Sequence, residues 1–195
     1  SSGSRPPSVA TATNPDELCI NGMSFSRRQS KWANSAIVVT VGPEDWAPFC
    51  PPDVPKALAG VYFQRAMERR AAELGGGGLT VPVQRLTDFL ERKPSPDDDL
   101  PTSSYRLGVK AAPVHELYPE HIYNVMAEAI RTEFDKKMPG FATCPDALVH
   151  GAETRTSSPV RILRDRDTLQ SPKIPRLFPA GEGAGHAGGI VSSAV

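Results

Sequence analysis

Proline constrains this chain more than any other residue, because 20 of its 195 positions are proline, about twice the usual share of roughly 5%. The prolines gather at 43–55, 94–101 and 172–179. A residue without an N–H and with φ fixed punctuates loops and cannot continue a helix or a central ladder. Two stretches free of them carry helical periodicity. Over 56–74, Phe63, Met67, Ala71 and Leu74 fall on one apolar stripe, with Arg65, Glu68, Arg69 and Glu73 expected outward. The run Gly75–Gly78 stops that helix, since glycine takes the left-handed backbone that ends helices. A second helix is expected from Pro119, a good first-turn residue, with Ile122, Val125, Met126, Ala129, Ile130 and Phe134 as a wide apolar face. Lys136 and Lys137 suit its negative end, and Pro139-Gly140 closes it.

Short strand-like segments flank these helices. SAIVVTV (35–41) is a β-branched run ended by Gly42-Pro43, and LTVPVQRL (79–86) reads as an edge strand because Pro82 cannot donate. ALVHGAE (147–153), PVRILR (159–164) and RLFPAG (176–181) follow the second helix. Helices between strands place the chain in the α/β (α+β) class. Residues 1–16 read as a flexible lead-in, and 91–108 as a solvated loop whose Asp97–Asp99 triplet is a surface feature before it is a cation site.

Lys plus Arg equals Asp plus Glu at 22 each, so no long-range field steers the chain toward nucleic acid or an anionic membrane. Cys19, Cys50 and Cys144 are odd in number and widely spaced, which excludes C-x-x-C pairs and favours free thiols in a reducing compartment. No metal site is expected. No apolar run reaches the ~18 residues of a membrane span, and the polar N-terminus lacks a secretory signal. A cytoplasmic or organelle-interior location, a plastid included, is the expectation; oligomeric state is not readable.

The chain closes on FPAGEGAGHAGGIVSSAV, in which Gly183 to Gly188 matches G-x-G-x-x-G. That fingerprint requires a solid preceding strand and an acidic residue ~20 positions later. Here the strand carries Pro179 and only seven residues follow Gly188. Glu182 also argues against a pyrophosphate cradle, because a carboxylate repels phosphate but accepts hydrogen bonds from ribityl or ribose hydroxyls. The alternative is a glycine turn with a solvent-facing glutamate. A P-loop lacks its G-K-[ST] ending, and no spacing suggests a Ser-His-Asp triad.

GAETRTSSPVRI (151–162) together with LFPAGEGAGHAGGIVSSAV (177–195) resembles the C-terminal part of FAD-dependent oxidoreductases, two-dinucleotide-binding-domain flavoproteins in the group called FAD-dependent protein C-terminal domain. NGMSFSRRQSKWANSAIVVTV (21–41) and GVYFQRAMERRAAELGGGGLTVPVQRLTDFL (60–90) match further blocks in the family's order. The resemblance implies residues 17–150 as an inserted substrate-side domain and 151–195 as the closing strand-loop-helix of a Rossmann-like FAD domain. It implies FAD as cofactor, with Glu182 on the ribityl chain and Gly181, Gly183, Ala184 and Gly185 beside it. Gly188, Gly189 and Ile190 would offer helix N-terminal amides to the ring carbonyl.

Arg155, Thr156 and Ser157 would stand on the substrate side, with Ser158 and Arg161 in the same block. His186 sits where similar proteins often have tyrosine. Asn21, Ser24, Arg27, Arg28 and Asn34 edge a further candidate pocket, with Trp32 as its anchor. The family's opening pyrophosphate fingerprint is expected upstream of residue 1, which makes this the C-terminal portion of a longer enzyme. The portion by itself is then expected to be inactive. The partner of the whole would be a small-molecule substrate or an electron donor or acceptor. The alternative is a non-catalytic interaction or scaffold module derived from a flavoprotein.

Overall fold

The structure is a computed structural model that describes residues 8–11, 14–23, 30–186, 189 and 191. The chain forms two compact units, one from Ser1–Thr40 and Ala66–Thr154, the other from Val41–Arg65 and Arg155–Val195. The boundary between Arg65 and Ala66 falls inside a helix.

In the first unit, a short antiparallel ladder joins β1 (Ser8–Ala10) to β2 (Ile20–Gly22). The main sheet has three strands, β3 (Val81–Arg85), β4 (Val109–Ala111) and β5 (Leu148–His150), in the order β4-β3-β5. β3 runs parallel to β4 and antiparallel to β5, so the fold is mixed α/β as expected.

The edge assignment of 79–86 is corrected, because β3 is the central strand. Pro82 is tolerated there because its missing N–H faces the end of the β5 ladder, which starts at Val83↔His150. Beyond that pair Pro82 only accepts, its carbonyl taking the Gly151 N–H at 3.0 Å. The β4 side is served by neighbours instead: Val81 N–H donates to Gly108 O at 2.9 Å and Ala112 N–H to Val83 O at 3.0 Å. A proline at the end of a ladder removes only the terminal donor and leaves the rest of the pairing intact.

Helix α2 (Ala59–Gly75) follows a helical turn at Lys56–Leu58, as its periodicity predicts. Gly76, Gly77 and Gly78 all have positive φ and end it. Phe63, Met67 and Ala71 are buried, but so is Glu68, at 1% exposure. Its expected outward placement is overturned: Glu68 Oε1 accepts the Thr154 hydroxyl at 2.6 Å. A buried carboxylate needs such a partner.

α3 (Leu86–Glu91) packs against β3 and β5, and α4 (Glu120–Ala129) contributes to the same core. Pro119 is the residue that caps α4, one position before its first turn. The buried face of α4 is Ile122, Tyr123, Ala127 and the following Ile130, while Val125 is 50% exposed and leaves the expected stripe. The helix then widens into a π-helical turn at Ile130–Phe134 before a last turn, α5 (Asp135–Lys137). Widening shifts the later side chains around the axis, so Phe134 meets Phe141 at a ring distance of 6.1 Å rather than the main core. That core joins Leu18, Ile20, Val81, Val83, Phe89, Leu117 and their neighbours.

Residues 35–40 pair with no strand among the described residues, although Ile37 and Val39 are more buried than Ala36, Val38 and Thr40. The period-2 pattern is present and the partner is not. No described helix is long and apolar enough to cross a membrane. All three cysteines are free.

In the second unit a four-residue helix, α1 (Pro43–Trp46), leads into a tight turn at Ala47–Phe49. Phe49 packs edge-on against Phe63 at 5.1 Å. Gly60 lies against Pro159, where a Cβ would approach the Pro159 carbonyl oxygen to 2.9 Å. The segments 159–164 and 176–181, expected as strands, join no ladder among the described residues. Pro159, Pro175 and Pro179 remove the donors a ladder would need. The contacts formed are isolated: Arg164 Nη1 to Pro179 O at 2.8 Å and Ile162 N to Ala184 O at 3.0 Å.

Candidate functional site

Two left-handed glycines frame the closing loop. Gly181 has φ 74°, ψ −174°, and Gly185 has φ 76°, ψ 21°, around a single 3-10 turn at Glu182–Ala184. The turn is closed by Gly185 N–H to Glu182 O at 2.9 Å and His186 N–H to Gly181 O at 3.1 Å. Ala184 is buried beneath it.

Gly185 is required sterically as well, since a Cβ there would sit 2.7 Å from Val160 O and 3.0 Å from Arg161 Cα. At Gly183 nothing lies within 4 Å of that position. The outer side of the turn is therefore open while its inner side is locked to 160–162.

Glu182 is half-buried, and its carboxylate has no hydrogen-bond or ion-pair partner among the described residues. The N–H groups of Glu182 and Gly183 likewise reach no acceptor among them, as the first amides of a helical turn do. Open donors beside an open acceptor suit a ligand with both carbonyl and hydroxyl groups.

His186 donates its ring Nε2 proton to Ile162 O at 2.9 Å, which commits that nitrogen to holding the loop. Gly189 is half-buried; Gly188 and Ile190 lie outside the described residues. Arg155, Thr156 and Ser157 are exposed in the same unit. From their block it is Ser158 that reaches the loop, its hydroxyl lying 2.7 Å from Val160 O and 3.4 Å from Gly183 O.

In the first unit, Trp32 anchors its segment as expected, through Nε1–H to Thr102 O at 2.8 Å. Asn34 Nδ2 donates to Met23 O at 3.1 Å, and Asn21 is exposed. Ser24, Arg27 and Arg28 lie outside the described residues. The Asp97–Asp99 triplet is engaged by protein: Asp97 accepts Ala111 N–H at 3.1 Å and Asp99 pairs with Arg85. No group of side chains suited to a metal ion occurs among the described residues.

Several polar groups of this unit carry no sequence motif. Gln84, fully buried on β3, has its amide satisfied on both atoms. Nε2 donates to Lys93 O at 2.6 Å, and Oε1 accepts His115 N–H at 3.0 Å. His115 Nδ1 lies 2.9 Å from Gln84 Nε2 and 3.2 Å from Gln84 Oε1. Burial, then Arg92, holds the His115 pKa below its ordinary value despite Glu116.

Ser103 Oγ meets His150 Nε2 at 2.8 Å, and burial lowers the His150 pKa too. A backbone hydrogen bond with Leu148 opposes that shift, and no carboxylate partner of the ring occurs among the described residues. Burial raises the pKa of Tyr118 and of Glu153. Two cavities, of about 470 and about 500 Å3, share Arg92 and Tyr123 as their common wall. None of these could be read from spacing, because each partner pair is set by the packing of distant segments.

A mixed α/β chain ending in a glycine-hinged loop with an open carboxylate is the class defined by this geometry. Residues 8–156 match the family described as FAD-dependent protein, C-terminal domain-like, and the chain belongs to it. An uncharacterized protein of Clostridium beijerinckii is 42% identical over 187 residues, which is 96% of this chain and 33% of that protein. The chain thus spans about a third of the length of the curated relative it matches. Membership of this family supports a flavoprotein origin.

Proposed function

We propose that the chain is the C-terminal portion of an FAD-dependent oxidoreductase and supplies one wall of its flavin site. The observation that carries this reading is Glu182: a half-buried carboxylate without a partner among the described residues, on a turn whose first two amides are open. Glu182 would accept the ribityl hydroxyls, and the Glu182 and Gly183 N–H groups would donate to cofactor oxygens. Gly188, Gly189 and Ile190 would extend that donor set toward the ring carbonyl.

Gly181 and Gly185 set the turn's shape, and Gly183 leaves room for a ligand at van der Waals distance. Arg155, Thr156 and Ser157 would orient a small anionic or polar substrate, or an electron donor or acceptor, from the same unit. Flavin, when bound, supplies the hydride or electron transfer. The other wall, with its pyrophosphate-binding βαβ unit, belongs in this reading to the remaining two-thirds of a protein of the relative's length.

The test is an absorbance titration with FAD of a protein joining this chain to such an upstream unit, repeated with Glu182→Ala. Loss of hydrogen bonds to a charged acceptor weakens binding by about 1.5–3 kcal/mol, roughly 10- to 150-fold in Kd. A protein that takes up no FAD overturns the proposal, and an unchanged Kd in Glu182→Ala detaches the glutamate from the site.

A further inference from the structure

The smaller of the two cavities in the first unit, about 470 Å3, is lined by Leu90, Arg92, Lys93, Tyr123, Asn124 and Arg131, with Glu91 at its rim. Its charges do not cancel. Lys93 pairs with Glu91 at 2.7 Å and Arg92 with Glu120 at 3.1 Å. Arg131 donates to the Leu90 carbonyl and has no carboxylate partner among the described residues. One guanidinium charge is therefore left over, facing a concavity.

Two backbone irregularities meet at this place. Arg92 holds a left-handed conformation, φ 56°, ψ 39°, where α3 ends. Glycine or asparagine usually fills that position, and a bulkier side chain there stores strain. Its guanidinium lies 4.5 Å above the Tyr123 ring centre and donates to Asn124 Oδ1 at 2.7 Å. That bond turns the Asn124 amide so that its N–H groups stay unused among the described residues.

Arg131 lies in the π-helical turn, Ile130–Phe134. Turns of this kind occur frequently at functional sites, and observed backbone outliers are legitimate grounds for a functional hypothesis.

We propose that this cavity is a binding site for a small molecule bearing a carboxylate or phosphate group. Arg131 supplies the balancing charge and a planar fork of donors. Asn124 Nδ2 adds neutral donors, and the Arg92–Tyr123 stack forms a stiff floor. Lys93 stands at the mouth as a second cation that can exchange Glu91 for the ligand. The site belongs to the first unit and does not depend on the flavin reading.

The experiment is a 1H–15N titration of the 195-residue chain at low salt with inorganic phosphate and, separately, with succinate. Saturable shifts at Arg92, Asn124 and Arg131 are expected, and the anion that saturates first tells phosphate from carboxylate ligands. Arg131→Gln should raise the apparent Kd at least tenfold, and Lys93→Glu several-fold. Because Arg131 also holds the Leu90 carbonyl, Arg131→Gln is read only if its amide spectrum stays native; otherwise the exposed Lys93→Glu decides. Absence of saturation with both anions, or saturation unchanged by the deciding variant, overturns the proposal.

Discussion

Two alanines introduced two residues apart in the closing loop should behave oppositely. Gly185→Ala forces a side chain into the left-handed region at φ 76°, which costs about 1–2 kcal/mol. Its Cβ would also meet Val160 O at 2.7 Å and Arg161 Cα at 3.0 Å. Both are backbone atoms, so relief requires moving the 160–161 segment, at about 1–3 kcal/mol by analogy with overpacked cores.

Alanine recovers about 0.4–1 kcal/mol by restricting the unfolded chain, which leaves a net loss of about 1–4.6 kcal/mol. Gly183→Ala meets nothing within 4 Å and does not sit at positive φ, so it should fall within about ±0.5 kcal/mol of the parent or gain slightly.

The assay is thermal and urea unfolding in a Trp32→Phe background, where Trp46 alone reports on the second unit. At roughly 2–4 °C per kcal/mol for a chain of this size, Gly185→Ala should lower the midpoint by about 2–18 °C. Equal damage from the two alanines, or a neutral Gly185→Ala, would refute both the left-handed geometry and the lock onto Val160.

Three further outcomes follow from the first unit. Gln84→Leu should strand the Lys93 carbonyl and the His115 N–H, for a loss of about 2–4 kcal/mol in urea unfolding with the slope unchanged. Glu68→Leu should cost about 1–3 kcal/mol by removing the carboxylate acceptor of the Thr154 hydroxyl. Adding Thr154→Val should restore part of that, measured as a positive coupling in a double-mutant cycle.

On pH, His115 and His150 have folded pKa values held below 6.5. The unfolded chain therefore binds their protons first, and stability should fall as pH drops below about 6.5 until the folded values are reached. Glu153, raised from 4.5, acts with the opposite sign above that value. Replacing either histidine by glutamine should flatten the dependence between pH 7.5 and 5.5, measured by urea midpoints.

The helices were legible because their periodicity is local: Phe63, Met67 and Ala71 need only 3.6 residues per turn to share a face. Glu68 was not, because the hydroxyl that makes its burial tolerable belongs to Thr154, 86 residues away. Pro82 shows a subtler limit. The rule that proline avoids central strands concerns the donor, and whether the donor is missed depends on where the neighbouring ladder ends. No pattern in 79–86 carries the information that β5 stops opposite Val83. The exposed Val125 marks the same limit on α4, since a helix pattern names a stripe but not which edge of it the core covers.

The glycine loop divides along the same line. Its five glycines look alike in sequence, yet Gly181 and Gly185 are conformational hinges and Gly183 is open space. What remains readable is the chemistry of Glu182 among them. At neutral pH a phosphate is an anion whose oxygens mainly accept, so it would use the turn's amides and be repelled by the carboxylate. A ligand that matches both must donate to Glu182 and accept from the Glu182 and Gly183 amides at once. A polyhydroxyl chain joined to a carbonyl-bearing ring does so, and the bare anions proposed for the Arg131 cavity do not. The two sites should therefore separate cleanly in titration, with phosphate or succinate leaving the resonances of Glu182 and Gly183 unmoved.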